Sequence, residues 1–216
     1  MNQKTYKVKE AYVTIQGEGY QSGLPAVFCR FTGCNLWSGH ENSRSRAICQ
    51  FCDTDFIGTD GLNGGRFSGP DSLSAHLQKL WLSSAPNMGN ALIVFTGGEP
   101  ALQLDDELID ACKALGFRTA VETNGTLRLP EGLDWVCVSP KANETLVIRK
   151  GDELKLVFPQ HENKPRDFES LDFKHFYLQP LDGENTALNT QNAVSYCMKN
   201  PQWRLSLQTH KLIGIN

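Results

Sequence analysis

The chain has 216 residues, of which 40% are hydrophobic and 21% charged, and its formal net charge is −3. This balance is ordinary for a soluble globular protein and argues against a general nucleic-acid binder, whose affinity depends on a basic surface. No apolar run approaches the roughly 18 residues of a membrane span, and the opening MNQKTYKVKE lacks the apolar stretch of a secretory signal. We therefore expect a cytoplasmic protein whose seven cysteines are reduced and serve as metal ligands, reactive thiols or buried apolar residues.

Apolar periodicity and turn residues predict strands and helices in alternation. The predicted strands are residues 26–31, 91–95, 117–122, 135–139, 153–158, 175–179 and 203–208. The predicted helices are residues 71–82, capped by Asp71 or Ser72, residues 105–115, stopped by Gly116, and residues 187–199. Segments 38–48 and 59–70 are predicted to be surface loops.

The alternation of strands and helices implies parallel β/α units. The helices are too few for a closed eight-fold barrel. No internal repeat or compositional change divides the chain. We therefore expect a single domain over residues 1–216, with an α/β fold in the form of an open, partial (β/α) barrel with reduced helix content.

Three cysteines form a metal-binding pattern. Cys34, Cys49 and Cys52 have the spacing C-x14-C-x2-C, and the C-x2-C pair can bring two thiolates to one metal centre. An iron–sulfur cluster and a zinc ion both remain open, since His40 could complete a zinc site. On a four-iron cluster, three thiolates would leave one iron free to bind a substrate. Cys29 is the other candidate for the first ligand, but it lies inside an apolar strand, so Cys34 is preferred.

Short polar motifs follow several predicted strands. They are TGGEP at 96–100, ETNGT at 122–126, SPK at 139–141 and QPLD at 179–182. Taken singly, each is typical of a turn that leaves a strand. Because the carboxyl ends of parallel strands share one edge of a sheet, the motifs together predict a site at that edge.

These motifs, with TIQGEG at 14–19, CDT at 52–54 and QTHK at 208–211, resemble the radical S-adenosylmethionine superfamily. Within it, the chain resembles the 7-carboxy-7-deazaguanine synthases over nearly its whole length. One departure from the common superfamily pattern is the inserted loop 35–48, which puts fourteen residues rather than three between the first two cysteines. The resemblance implies that this family tolerates the insertion and that the fold is the radical S-adenosylmethionine type of open partial barrel.

The resemblance also implies an activity. The chain is then a carbon–nitrogen lyase of 7-deazapurine (queuosine) biosynthesis, which converts 6-carboxy-5,6,7,8-tetrahydropterin to 7-carboxy-7-deazaguanine. The reaction comprises hydrogen abstraction, ring contraction and loss of ammonia. The implied partners are the pterin, an electron donor such as a flavodoxin or ferredoxin, and a second copy in a homodimer, with no nucleic acid and no membrane.

Roles for individual residues follow from the same resemblance. A [4Fe–4S] cluster is assigned to Cys34, Cys49 and Cys52, and Mg²⁺ to Thr54. Contacts to S-adenosylmethionine are assigned to Phe51, Gly98, Glu99, Asn124, Ser139, Pro140, Lys141, Gln179, Pro180, Leu181 and Asp182. Contacts to the pterin are assigned to Ile15, Gln16, Gly17, Glu18, Arg30, Thr96, His210 and Asn216. Arg30 suits the substrate carboxylate as a bidentate partner, and either Glu18 or the terminal carboxylate of Asn216 accepts from the N–H edge of the ring.

Two other classes of protein remain as alternatives. An activase that places a glycyl radical on a partner protein would share the cysteine motif and GGEP, but it has no need of QGEG, Arg30 or QTHK. A non-enzymatic zinc-binding protein would need no GGEP, ETNG or SPK at strand ends, and it would be colourless.

Overall fold

The structure, a computed structural model, describes residues 3–142 and 144–215. In these residues the chain forms nine strands and four α-helices. The strands are β1 (Thr5–Ile15), β2 (Pro25–Phe31), β3 (Gly65–Ser68), β4 (Leu92–Gly97), β5 (Arg118–Thr123), β6 (Trp135–Val138), β7 (Lys150–Phe158), β8 (Asp172–Pro180) and β9 (Trp203–Leu205). The helices are α1 (Pro70–Ser84), α2 (Asp106–Ala114), α3 (Thr186–Lys199) and α4 (Thr209–Ile213), with short 3₁₀ helices at Glu41–Arg46, Pro100–Leu102 and Pro165–Asp167.

All nine strands belong to one open sheet with the order β3-β1-β2-β4-β5-β6-β7-β8-β9. Strand β1 runs antiparallel to β2 and β3, and every pairing from β2 to β9 is parallel. No helix is seen in the described residues that connect β5 to β6 or β6 to β7. The predicted open α/β fold with few helices is therefore confirmed.

The two faces of the sheet have different environments because successive side chains of a strand point to opposite sides. On β2, Cys29 and Phe31 are buried against α1 and α2 in the largest hydrophobic cluster. Their neighbours Phe28 and Arg30 line a cavity on the other face. A second cluster, which includes Leu154 of β7, packs against α3.

Strand β1 is absent from the prediction because a bulge interrupts its alternation. The pairing with β2 shifts register between Val8 and Glu10. As a result Tyr6 and Val8 share the core face with Ala11 and Val13, although a strict period of two would separate the two pairs. Most of the other predicted strands agree with the structure to within a few residues.

Four local predictions are corrected. Segment 38–48 contains a 3₁₀ helix and segment 59–70 contains β3. Helix α1 begins at Pro70 and has Gly69 as its N-cap rather than Asp71 or Ser72. Pro70 restricts φ to a helical value at the first position of the helix. Gly69, the N-cap before it, has a φ of 79°, which glycine adopts without strain. Strand β9 ends at Leu205, before the predicted end at residue 208, and α4 begins at Thr209. Among the described helices, none combines the length and apolar character needed to cross a membrane.

Candidate active site

A cavity of about 660 Å³ lies at the carboxyl ends of the parallel strands. It is lined by most of the residues that the sequence singled out: Ile15, Gln16, Gly17, Glu18, Arg30, Cys34, Cys49, Phe51, Cys52, Thr54, Thr96, Gly98, Asn124, Ser139, Lys141, Gln179, Pro180, Leu181, Asp182 and His210. Glu99 and Pro140 do not line it. Asn216 lies outside the described residues.

The three motif cysteines share one wall of the cavity. Burial raises the pKa of Cys34. A hydrogen bond between Cys49 and Cys52 raises the pKa of Cys49 and lowers that of Cys52 to about 6. Cys29 is fully buried in the core and does not line the cavity, so the geometry favours Cys34 as the partner of the C-x2-C pair. His40 is not among the lining residues. In the described part of the chain, no three His, Cys, Asp or Glu side chains are grouped to hold a metal ion.

The TGGEP segment joins the ends of β4, β2 and β5. The Glu99 N–H donates to the Gly33 carbonyl over 2.9 Å, and a Cβ on Gly98 would overlap that same carbonyl. The Glu99 carboxylate is fully buried and accepts from Ala101 N (3.0 Å), Thr123 Oγ1 (2.7 Å) and Asn124 N (2.8 Å). Burial raises the pKa of Glu99, against the effect of these donors. The partners of Glu99 are thus groups of the protein itself.

The SPK segment brings a cation beside the cysteine loop. Lys141 Nζ donates to the Ser139 carbonyl (2.9 Å) and to Ser139 Oγ (2.7 Å). It also lies 5.9 Å from the centroid of the Phe51 ring, which belongs to the Cys49–Cys52 turn. Burial lowers the pKa of Lys141. The arrangement joins the end of β6 to that turn.

A buried ion network lies in the same cavity. Lys155 Nζ, on β7, lies 2.5 Å from Glu18 Oε2 and 3.2 Å from Glu122 Oε2. The side-chain amide of Gln16 donates to Glu122 (2.9 Å), and that of Gln208 donates to Glu18 (3.0 Å). Burial by itself lowers the pKa of Lys155, but the two carboxylates raise it well above its ordinary value. Lys155 therefore stays positively charged at neutral pH.

Sequence reasoning missed Lys155, Glu122 and Gln208 as site residues. A signal was present for Lys155, because a lysine in the middle of the apolar strand ELKLVF is unexpected unless a partner neutralises it. Glu122 stands at the head of ETNGT and Gln208 at the head of QTHK, but nothing in the sequence indicates that they approach Gln16 and Glu18.

Helix α4 packs on the segment that follows β1. Thr209 donates to the Gly17 carbonyl from its backbone N–H (3.0 Å) and from its hydroxyl (2.8 Å). A Cβ on Gly17 would overlap the ring of His210. Glycine at this position therefore allows His210 to lie directly against the QGEG segment.

Arg30 is oriented by two residues of β1. Its Nε donates to Glu10 Oε1 over 2.8 Å, and its Nη2 donates to the Tyr12 hydroxyl over 3.3 Å. Neither β1 residue was expected at the site, because β1 itself was not predicted. The Arg30 side chain faces the cavity.

Thr54 lies between two paired carboxylates. Asp53 binds Lys211 Nζ at 2.9 Å, and Lys211 also binds Asp182 at 2.6 Å. Asp55 binds Lys9 Nζ at 2.9 Å. Both aspartates next to Thr54 therefore already have a lysine partner.

Two named proteins resemble the chain over almost all of its length. The 7-carboxy-7-deazaguanine synthase of Caulobacter vibrioides is 57% identical over 211 residues, covering 98% of this chain and 99% of that protein. The 7-carboxy-7-deazaguanine synthase of Burkholderia multivorans is 54% identical over 211 residues with the same coverage.

A solved structure shares the fold. QueE from Escherichia coli matches with a TM-score of 0.66 at 25% sequence identity, covering 94% of this chain and 93% of that one. No protein-family profile matches the chain. The two synthases nevertheless match 98% of the chain. The chain therefore belongs to the 7-carboxy-7-deazaguanine synthase family of radical S-adenosylmethionine enzymes.

Proposed function

We propose that this chain converts 6-carboxy-5,6,7,8-tetrahydropterin to 7-carboxy-7-deazaguanine, as a single-domain lyase of 7-deazapurine biosynthesis in the cytoplasm. One observation carries the proposal. The motif cysteines, the strand-end motifs and the polar groups of the QGEG segment all line one cavity of about 660 Å³. Family membership disfavours both the glycyl-radical activase and the zinc-binding protein.

A [4Fe–4S] cluster fits the cysteine wall of the cavity. A single ion needs ligands that converge on one point, whereas a four-iron cluster takes its thiolates on different irons, so Cys34, Cys49 and Cys52 would bind three of the four irons. The buried Nε1 of Trp37, which also lines the cavity, has no hydrogen-bond partner among the described residues. A buried N–H needs an acceptor, and thiolates or sulfides would provide one.

S-adenosylmethionine fits the wall next to these cysteines. When bound, the cluster and S-adenosylmethionine would supply the radical chemistry for hydrogen abstraction. Around them the chain contributes side-chain and backbone groups that would orient the nucleoside and the amino acid part: Gly98, Asn124, Ser139, Lys141, Gln179, Pro180, Leu181 and Asp182. Phe51 contributes an aromatic face. Glu99 and Pro140 do not line the cavity but support residues that do. Glu99, for example, accepts a hydrogen bond from the backbone N–H of Asn124.

The pterin fits the polar part of the cavity. Glu10 and Tyr12 hold Arg30 by Nε and Nη2, which leaves Nη1 to meet the substrate carboxylate. Glu18, kept ionised by Lys155, is an acceptor for the ring N–H groups. The remaining contacts come from Ile15, Gln16, Gly17, Thr96 and His210.

Magnesium fits Thr54 better than the aspartates beside it. Asp53 and Asp55 are each held by a lysine, so the Thr54 hydroxyl is the neutral oxygen between them. Mg²⁺ keeps few protein ligands and fills its octahedron with substrate oxygens and water. The metal would therefore bind together with the substrate and help to orient it. The electron donor, a flavodoxin or ferredoxin, and the homodimer are proposed on the family resemblance alone.

The function is tested with protein purified without oxygen. The wild type should be brown, hold about four irons per chain, and form the deazaguanine from the pterin with S-adenosylmethionine and a reductant. Cys34→Ala, Cys49→Ala and Cys52→Ala should each lose the colour. Cys112→Ala should keep it, because Cys112 is buried in the core away from the cavity. Protein that takes up zinc but no iron would overturn the proposal.

A further inference from the structure

One arginine of the inserted loop makes two contacts within its own 3₁₀ helix and three to two other parts of the cysteine region. Arg44 lies in the 3₁₀ helix Glu41–Arg46, and its Nε and Nη2 bind both oxygens of Glu41 at 2.7 and 2.5 Å. Its Nη1 donates to two carbonyls of the cysteine turn, that of Gln50 at 2.9 Å and that of Cys52 at 3.0 Å. The side chain thus joins its own helix to the turn Cys49–Cys52.

The same guanidinium also stacks on the beginning of the loop. It lies 4.1 Å from the ring centroid of Trp37. Trp37 is itself buried and packs edge-on against Phe56, with the ring centroids 5.6 Å apart. Planar stacking and forked donation are both specific to arginine, since a lysine ammonium offers neither.

We propose that Arg44 is a positioning residue that fixes the turn Cys49–Cys52 from the inserted loop. This inference rests on the proposed cluster. A connection of fourteen residues constrains its two ends less than one of three residues, so Cys34 leaves Cys49 a wider range of positions. Arg44 supplies the missing constraint: it holds the two turn carbonyls against Trp37, only three residues after Cys34, and thereby sets the spacing of the thiols.

Three variants of the iron-loaded protein separate bracing from charge. Arg44→Ala removes the brace and the charge. Arg44→Lys keeps the charge but cannot make the fork and the stack together. Arg46→Ala is the matched control, since Arg46 lies in the same helix, is exposed, and its side chain makes no hydrogen bond or ion pair within residues 3–142 and 144–215.

Two readouts independent of turnover are the rate of iron release to a chelator and the reduction potential of the cluster. Arg44→Ala and Arg44→Lys should both release iron at least about tenfold faster than wild type, the scale seen when residues that support metal ligands are lost. Arg44→Ala should also shift the potential to more negative values, because a nearby positive charge favours the reduced cluster. Arg46→Ala should match wild type in both.

Other outcomes have clear meanings. If Arg44→Lys releases iron as slowly as wild type, Arg44 acts by charge and the positioning role is wrong. If both Arg44 variants match wild type, or Arg46→Ala is as impaired as they are, the brace is also refuted. If Arg44→Ala and Arg44→Lys both take up no iron at all while Arg46→Ala loads fully, the brace is supported. Failure of the wild type to hold iron would instead overturn the proposed function.

Discussion

Lys155 Nζ lies within ion-pair distance of both Glu18 and Glu122, and its side chain is only 5% exposed. The two carboxylates come from positions 137 and 33 residues earlier in the chain. The Lys155 ammonium lowers the pKa of the buried Glu18 carboxylate, and an isolated buried charge would be costly. The pair of Lys155 with Glu18 is therefore a structural requirement of the cavity as well as a part of its chemistry.

Removal of Lys155 should destabilise the fold. Lys155→Met leaves two carboxylates without their cation, which costs about 3–5 kcal/mol when one partner of a buried pair is lost. The measurement is the free energy of unfolding in urea near neutral pH. Lys174→Met is the control, since Lys174 pairs with Asp152 at 2.6 Å but is 70% exposed and solvent screens the pair. An equal loss in the two variants would contradict the buried network.

The stability contributed by Glu18 should depend on acid pH. Burial by itself raises the pKa of Glu18, but the charge of Lys155 lowers it below its ordinary value of 4.5. A lowered folded pKa means that the unfolded chain binds more protons. The contribution is therefore fully present above pH 4.5 and is lost as the pH falls through the folded pKa.

Glu18→Gln should reduce the loss in free energy of unfolding that accompanies a fall in pH. The measurement is the free energy of unfolding of the wild type and the variant between about pH 6 and pH 3. Glu184→Gln, at an exposed position, should keep the slope of the wild type. A variant at Glu18 with the wild-type slope would show that Lys155 does not favour the ionised carboxylate.

Arg30→Ala should weaken pterin binding and leave the cluster intact. A substrate carboxylate that loses a charge-assisted partner in a buried site costs about 2–5 kcal/mol. Equilibrium binding of the pterin measures the effect, while the visible spectrum and S-adenosylmethionine binding should stay unchanged. Arg66→Ala is the control, because Arg66 is exposed on β3 of the same sheet. Unaltered pterin affinity in Arg30→Ala would remove Arg30 from the substrate site.

Turnover should rise with Mg²⁺ concentration. The affinity for the pterin should rise as well, because the pterin oxygens would coordinate the metal and each ligand then strengthens binding of the other by the same factor. Thr54→Ala should blunt both dependences without bleaching the cluster. Thr54→Ser, which keeps the hydroxyl, should restore them. If the wild type turns over equally fast in excess chelator, Thr54 has no metal role.

The sequence by itself determined most of the sheet and the edge at which the site lies. Strand periodicity located β2 and β4 to β8, and TGGEP, ETNG, SPK and QPLD follow four of those strands in the structure. It also separated Cys34 from Cys29, since alternation in β2 puts Cys29 in the core. These are local properties: they depend on hydrophobic period, turn residues and the common direction of parallel strands.

Only the tertiary structure decided which charges meet. The bulge in β1 breaks the alternation of apolar residues, so the strand could not be predicted from the sequence. Its residues Glu10 and Tyr12, which orient Arg30, were therefore not predicted either. The network of Lys155 joins three segments that are far apart in the chain, and Arg44 reaches the cysteine turn through the fold of its loop. Ion pairs and caps depend on distances of a few ångströms in space, and sequence spacing does not encode those distances.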